Sequence, residues 1–98
     1  MQELRFAWDP RKAATNLRKH RVSFEEAETA FLDEHALLTE DPDVAREEER
    51  FLLLGMSGTL RLLVVCHCVR EGGDLIRIIN ARRADKEEEG QYMERLRR

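Results

Sequence analysis

Apolar residues follow two rhythms along the 98-residue chain, and the rhythm changes at punctuation written into the sequence itself. Leu4, Phe6 and Trp8 alternate with other residues and read as a short first strand, halted by Asp9-Pro10. Asp9 suits an N-cap, and Pro10 suits the first helical position, where no amide donor is needed. A helix is therefore predicted over residues 10–20, with Ala13, Ala14 and Leu17 facing the core. Ser23 caps a second helix; Glu26, three residues on, completes a capping box, and Phe24, Ala27 and Phe31 share one face.

Strand patterns follow. Residues 36–39 read as a short strand, Asp41-Pro42 as a turn, and the text after it as an acidic, mobile loop. Residues 51–56, 60–69 and 75–81 read as three strands joined by turns at Ser57-Gly58 and Gly72-Gly73, an antiparallel meander. From Asp85 onward a polar terminal helix is expected, anchored by Tyr92, Leu96 and Met93 and weakened by Gly90. The expected class is α+β: a small antiparallel sheet with two N-terminal helices and one C-terminal helix.

Composition narrows this picture. At 42% apolar the chain can build one compact core and no more, so residues 1–98 are expected to form a single domain. Its 38% charged content implies a densely charged surface. No apolar run approaches the roughly 20 residues needed to cross a bilayer, and the N-terminus lacks the pattern of a signal peptide. A cytoplasmic protein that does not engage membranes is expected. Cys66 and Cys68 stand two apart in a strand and are read as small buried hydrophobes in a reducing compartment.

The net charge of -3 conceals an asymmetry. Residues 1–24 hold six cations against two acids, and residues 25–50 hold eleven acids against two cations. One molecule can thus present a basic and an acidic face, and two kinds of partner. The plainer alternative is a set of solvated helix faces with no shared purpose.

Candidate chemistry sits in three places. Lys12, Asn16, Lys19 and His20 form one stripe along the first helix, which is either its wet side or a binding surface; a basic C-terminal turn is in any case favoured by the helix dipole. In the strand ending Asn80-Ala81-Arg82-Arg83, alternation places Ile76, Ile78, Asn80 and Arg82 on one face, and Arg77, Ile79 and Ala81 on the other. Guanidinium groups at a sheet rim can hold phosphate bidentately. His67, in mid-strand, is read first as a satisfied, partly buried residue and second as a proton-transfer group. Cys66-His67-Cys68 does not have the spacing of a metal site, since the strand turns the histidine away from both thiols. No metal or other cofactor is expected, and no phosphate-loop motif is present.

These stretches, FAWDPRKAATNLRKHRVSFEEA, ERFLLLGMS, LRLLVVCH and IRIINARRA, with Tyr92 near the end, resemble the BrnT family of bacterial type II toxins. The resemblance implies a RelE-like fold and a ribonuclease that inhibits translation. It implies a neutralising, DNA-binding antitoxin of the BrnA type, with operator DNA engaged only through that antitoxin. It implies metal-free cleavage by the 2′-hydroxyl to a cyclic phosphate, with Lys19, His20, His67 and Arg82 as catalytic candidates. Lys12, Asn16, Arg77, Arg83 and Tyr92 would bind RNA. Three positions depart from the family pattern: Arg21 and Asn80 replace the usual glycine and serine, and Glu89 stands where an arginine is usual. A second reading follows from that last change, a catalytically weakened subunit retained for antitoxin binding and co-regulation.

Overall fold

The computed structural model describes residues 4–42 and 49–98. The expected mobility of the acidic loop falls largely on residues 43–48, outside the described residues. Strands β1 (Arg5–Ala7), β2 (Leu37–Glu40), β3 (Phe51–Met56), β4 (Leu62–Arg70) and β5 (Leu75–Arg83) form one sheet in the order β1-β5-β4-β3-β2. Helices α1 (Pro10–His20) and α2 (Phe24–Thr29) follow β1, and α3 (Lys86–Leu96) closes the chain. The architecture is α+β as expected. Its sheet is antiparallel from β2 to β5, but β1 joins β5 in parallel. A three-residue strand gives no periodicity from which its direction could be read.

The sheet has a core on each side. Val22, Phe24, Ala27 and Ala30 pack on Leu63, Val65, Ile76, Ile78 and Ala81, while Tyr92 of α3 covers Leu54 and Val64 on the other face. A single-turn 3-10 segment, Ala30–Leu32, extends α2 and presses on β3 at Gly55, where a Cβ would stand 2.9 Å from the Ala30 carbonyl oxygen. Only glycine permits that approach.

Two local expectations need correction. First, β5 carries a bulge: Cys66 pairs with Asn80 and His67 with Ile78, leaving Ile79 as the extra residue. The bulge inverts the alternation, so Ala81 joins Ile76 and Ile78 in the helix-side core, and Arg82, paired with Val64, faces the α3 side. Period-two reasoning cannot see an inserted residue. Second, Ser23 does cap α2 by accepting from the Glu26 amide, but the Glu26 side chain does not return to Ser23. Its carboxylate goes instead to Arg61, Ser57 and Thr59 in the β3–β4 connection. A reciprocal capping box does form at α3, between Asp85 and Glu88. That cap lets the helix run through Gly90; of its three expected anchors only Tyr92 is buried, and Met93 and Leu96 are exposed.

Helix α1 ends at Arg21, which adopts the left-handed conformation (φ 60°, ψ 31°) and donates its amide to Leu17. An L residue with a side chain is strained there, by roughly 1 kcal/mol relative to glycine. Arg21→Gly is expected to raise stability by about 1 kcal/mol, read as a higher urea midpoint at unchanged m-value. A lower midpoint would mean that the arginine side chain makes a compensating contact.

Candidate functional site: a cationic cleft between α1 and the free edge of β5

Strand β1 covers β5 only as far as Arg77, so the edge of β5 beyond it is bare of strand partners. Helix α1 lies along that stretch, and one side chain makes the junction. Asn16 donates to the carbonyl of Ala81 (2.8 Å) and of Val22 (2.9 Å), and its own oxygen accepts from the Ala81 amide (3.0 Å). It takes the place of a neighbouring strand and is 5% exposed. Ala14 and Leu17, expected in the core, are exposed instead; α1 turns Ala13 and Asn16 inward.

Above this junction opens a cleft of about 420 Å³. Arg11, Lys12, Lys19 and His20 line it from α1, with Thr15 between them, and Ile79 and Asn80 line it from β5. The basic side chains run the length of the helix, Arg11 and Lys12 in its first turn and Lys19 and His20 in its last, where the dipole stabilises positive charge. Among the described residues, no carboxylate lines the cleft. A shallow hollow of this kind, with several cations around a small apolar floor, matches an anionic polymer better than an enclosed small molecule.

The sequence candidates divide accordingly. Lys12, Lys19 and His20 meet in the cleft, and Asn16 lies beneath it with its amide already spent. Arg11 and Thr15, not singled out from sequence, join them; Arg11, Thr15 and Lys19 stand at successive intervals of four, which would have shown it. Ile79 and Asn80 were hidden by the bulge. Arg82 does not line the cleft: its guanidinium makes a two-pronged pair with Glu88 of α3, both bonds 2.9 Å, and this pairing holds the Glu88 carboxyl below its usual range. Arg83 is exposed at the end of β5, and Arg77 lines a separate hollow near β1 with Ala7 and Glu71.

Tyr92 and His67 are interior. The Tyr92 hydroxyl donates to Asp33 at 2.5 Å, and burial first, then this bond to a carboxylate, pushes the phenol up to about 12. Asp33 also accepts from the amides of Met56 and His35, so it fastens α3 to the end of β3 and to the turn before β2. His67 is 2% exposed, edge-on to Phe31 at 4.8 Å and near Phe51, with Nδ1 3.1 Å from the Val65 carbonyl. Burial lowers its pKa from the usual 6.5, outweighing that carbonyl contact. Because the folded value is depressed, unfolding takes up a proton below about pH 6.5, and stability falls as the pH drops through that region. A thermal midpoint that declines between pH 7.5 and 5.5 in the parent chain, and is flatter in His67→Leu, is the expected result. An equal decline in both would assign the effect elsewhere. Cys66, a free thiol beside Asp41, is raised to about 11, chiefly by burial.

A basic cleft along one helix of an α+β fold, with no carboxylate among its described lining residues, suits a polyanionic ligand. Comparison with known families makes this specific. Residues 8–88 match the family model described as "Ribonuclease toxin, BrnT, of type II toxin-antitoxin system", and the chain belongs to that family. The crystal structure of the Brucella abortus ribonuclease toxin, BrnT, superposes with a TM-score of 0.58 at 22% sequence identity, covering 88% of this chain and 100% of that one; the likeness is one of fold. No curated protein sequence matches the chain significantly. No described helix is long and apolar enough to cross a membrane.

Proposed function

We propose that the chain is a metal-independent endoribonuclease that uses the α1–β5 cleft to hold RNA and inhibits translation in the cytoplasm. The observation carrying this reading is the convergence of Arg11, Lys12, Lys19 and His20 on one open cleft in a chain of a ribonuclease toxin family. In the proposed step a 2′-oxygen loses its proton, bonds to the adjacent phosphorus and expels the 5′-oxygen, which takes up a proton. The products are a 2′,3′-cyclic phosphate and a free 5′-hydroxyl. His20 is the proton-transfer group of the cleft, and Lys19, with Lys12 and Arg11, offsets the charge growing on phosphorus. His67 is a core residue in this reading, and Tyr92 and Asn16 support the site without touching RNA. Arg82 and Arg83 extend the cationic rim on the α3 side, where phosphate must compete with Glu88 for Arg82.

The test uses isolated protein with end-labelled RNA in EDTA. Cyclic-phosphate ends are expected, with the rate lowered about a hundredfold by His20→Ala and about tenfold by Lys19→Ala. Undiminished cleavage by both variants would move the site elsewhere. Absence of cleavage, alone and in a translating extract, would favour the second reading, a binding subunit, for which the sequestered Arg82 is the supporting observation.

The antitoxin of the pair, of BrnA type in this proposal, covers the basic cleft and links the toxin to operator DNA. Charge complementarity directs an acidic surface to that face. An antitoxin seated only on the acidic side would overturn the assignment.

A further inference from the structure

Two amide side chains line the cleft, and they differ in one respect that bears on recognition. Asn16 has spent both donors and its acceptor on backbone, as described above. Asn80 is exposed, and no described residue hydrogen-bonds its amide. The other polar side chains around it are Arg11, Lys12, Lys19, His20 and Thr15, four cationic or basic groups that suit phosphate and one hydroxyl that is 3.4 Å from the Arg18 guanidinium. Among the described residues lining the cleft, Asn80 is therefore the one that offers a free donor beside a free acceptor.

Its position is a product of the bulge. Without the extra residue at Ile79, Asn80 would fall on the face of Ile76 and Ile78 and enter the helix-side core. The bulge moves it out to the cleft and leaves Ile79 next to it as an apolar surface against which a base can lie. Bulges commonly re-aim a side chain in this way beside a functional site.

We infer that Asn80 is the specificity-determining residue of the cleft, reading an adenine base held against Ile79 next to the bound phosphate; this rests on the cleft being the RNA site proposed above. On the Hoogsteen edge an asparagine amide matches adenine, which sets the N6 N–H beside the N7 ring nitrogen acceptor. Guanine presents two acceptors on that edge, O6 and N7, which suit Arg or Lys and not an amide that donates and accepts side by side. Unpaired bases in single-stranded RNA expose such edges to side chains.

The experiment measures binding separately from cleavage. Fluorescence anisotropy at fixed low salt compares short oligodeoxyadenylate with oligodeoxythymidylate, neither of which has the attacking 2′-hydroxyl. The parent chain is expected to bind the adenine oligomer about tenfold more tightly. In Asn80→Ser this ratio should fall below about twofold, whereas Lys19→Ala should weaken both oligomers alike and preserve the ratio, as loss of a phosphate contact does. A preference that survives Asn80→Ser reflects adenine stacking and overturns the inference, as does a parent chain with no preference. Cleavage of RNA without base preference would remove this inference alone. Failure to bind either oligomer would remove it together with the reading of the cleft.

Discussion

Replacing Glu26 with alanine is expected to cost about 3 kcal/mol of stability and to lower the thermal midpoint by more than about 10 °C. The carboxylate is 11% exposed and receives Arg61 through both of its oxygens, with Ser57 and Thr59 donating to one of them at 2.8 and 2.6 Å. These bonds, the one from Arg61 foremost, outweigh the opposing effect of burial and hold its pKa at about 2 against an ordinary 4.5. That displacement, at 1.36 kcal/mol per pKa unit, sets the magnitude, and it agrees with the loss of one partner from a largely buried ion pair. The sign follows from the depressed folded value. Stability from this group is complete above about pH 4.5 and disappears as the pH falls toward 2, where both states are protonated. Urea denaturation at pH 7 and pH 3 separates the cases: the parent and Glu26→Ala should differ widely at pH 7 and much less at pH 3. A constant difference would mean that alanine acts through packing instead of charge.

The consequence reaches the cleft. The same Arg61 guanidinium donates to the Arg21 carbonyl at 2.9 Å, and Asn16 donates to the Val22 carbonyl one residue later. The corner between α1 and α2 is thus held from the hairpin side by Arg61 and from the sheet side by Asn16. Both helices are short, 11 and 6 residues, and a six-residue helix has little stability of its own in water. What keeps Lys19 and His20 at the rim is this pair of anchors, together with Val22 and Phe24 buried beneath the corner. The abrupt succession of a basic helix end and a freshly capped helix has a physical purpose in this arrangement. It turns the chain within three residues and leaves the cationic end of α1 uncovered.

Those elements that rest on local rules were legible in the sequence. Asp9-Pro10 starts α1 where capping predicts, Ser23 starts α2, and the strained Arg21 ends α1 in the left-handed conformation that a glycine would adopt freely. Lys12, Lys19 and His20 could be placed on one face from helical spacing alone. What stayed hidden depends on contacts far apart in the chain. Asn16 and Ala81 are 65 positions apart, and no local rule indicates that a polar residue will displace Leu17 from the buried face in order to complete a strand edge. Glu26 and Arg61 are 35 apart, so a carboxylate in the third helical position looked like a cap when it was a tether. The bulge at Ile79 is set by the registry of β4 against β5, which also turns Arg82 to the α3 face, where it meets Glu88.

Asn16→Asp provides the sharpest test of how the cleft is built, because it changes one atom's chemistry and almost none of its shape. The asparagine nitrogen donates to the carbonyls of Ala81 and Val22, and a carboxylate has no donor to offer either of them. It would place negative charge against two carbonyl oxygens at a site that is 5% exposed, retaining only the bond accepted from the Ala81 amide. Asn16→Ala loses all three hydrogen bonds, worth about 3 kcal/mol at roughly 1 kcal/mol each, and leaves the freed backbone groups partly buried. Asn16→Asp is expected to lose at least as much at pH 7, and to recover part of it in acid, where the protonated carboxyl regains a donor. Were Asn16 an RNA-binding side chain with no structural task, both variants would keep the parent's urea midpoint and differ only in affinity. A fall in stability of about 3 kcal/mol in the absence of any RNA would identify Asn16 as the residue that seats α1 on β5. The catalytic candidates Lys19 and His20 would then depend for their position on a neighbour that never meets the substrate.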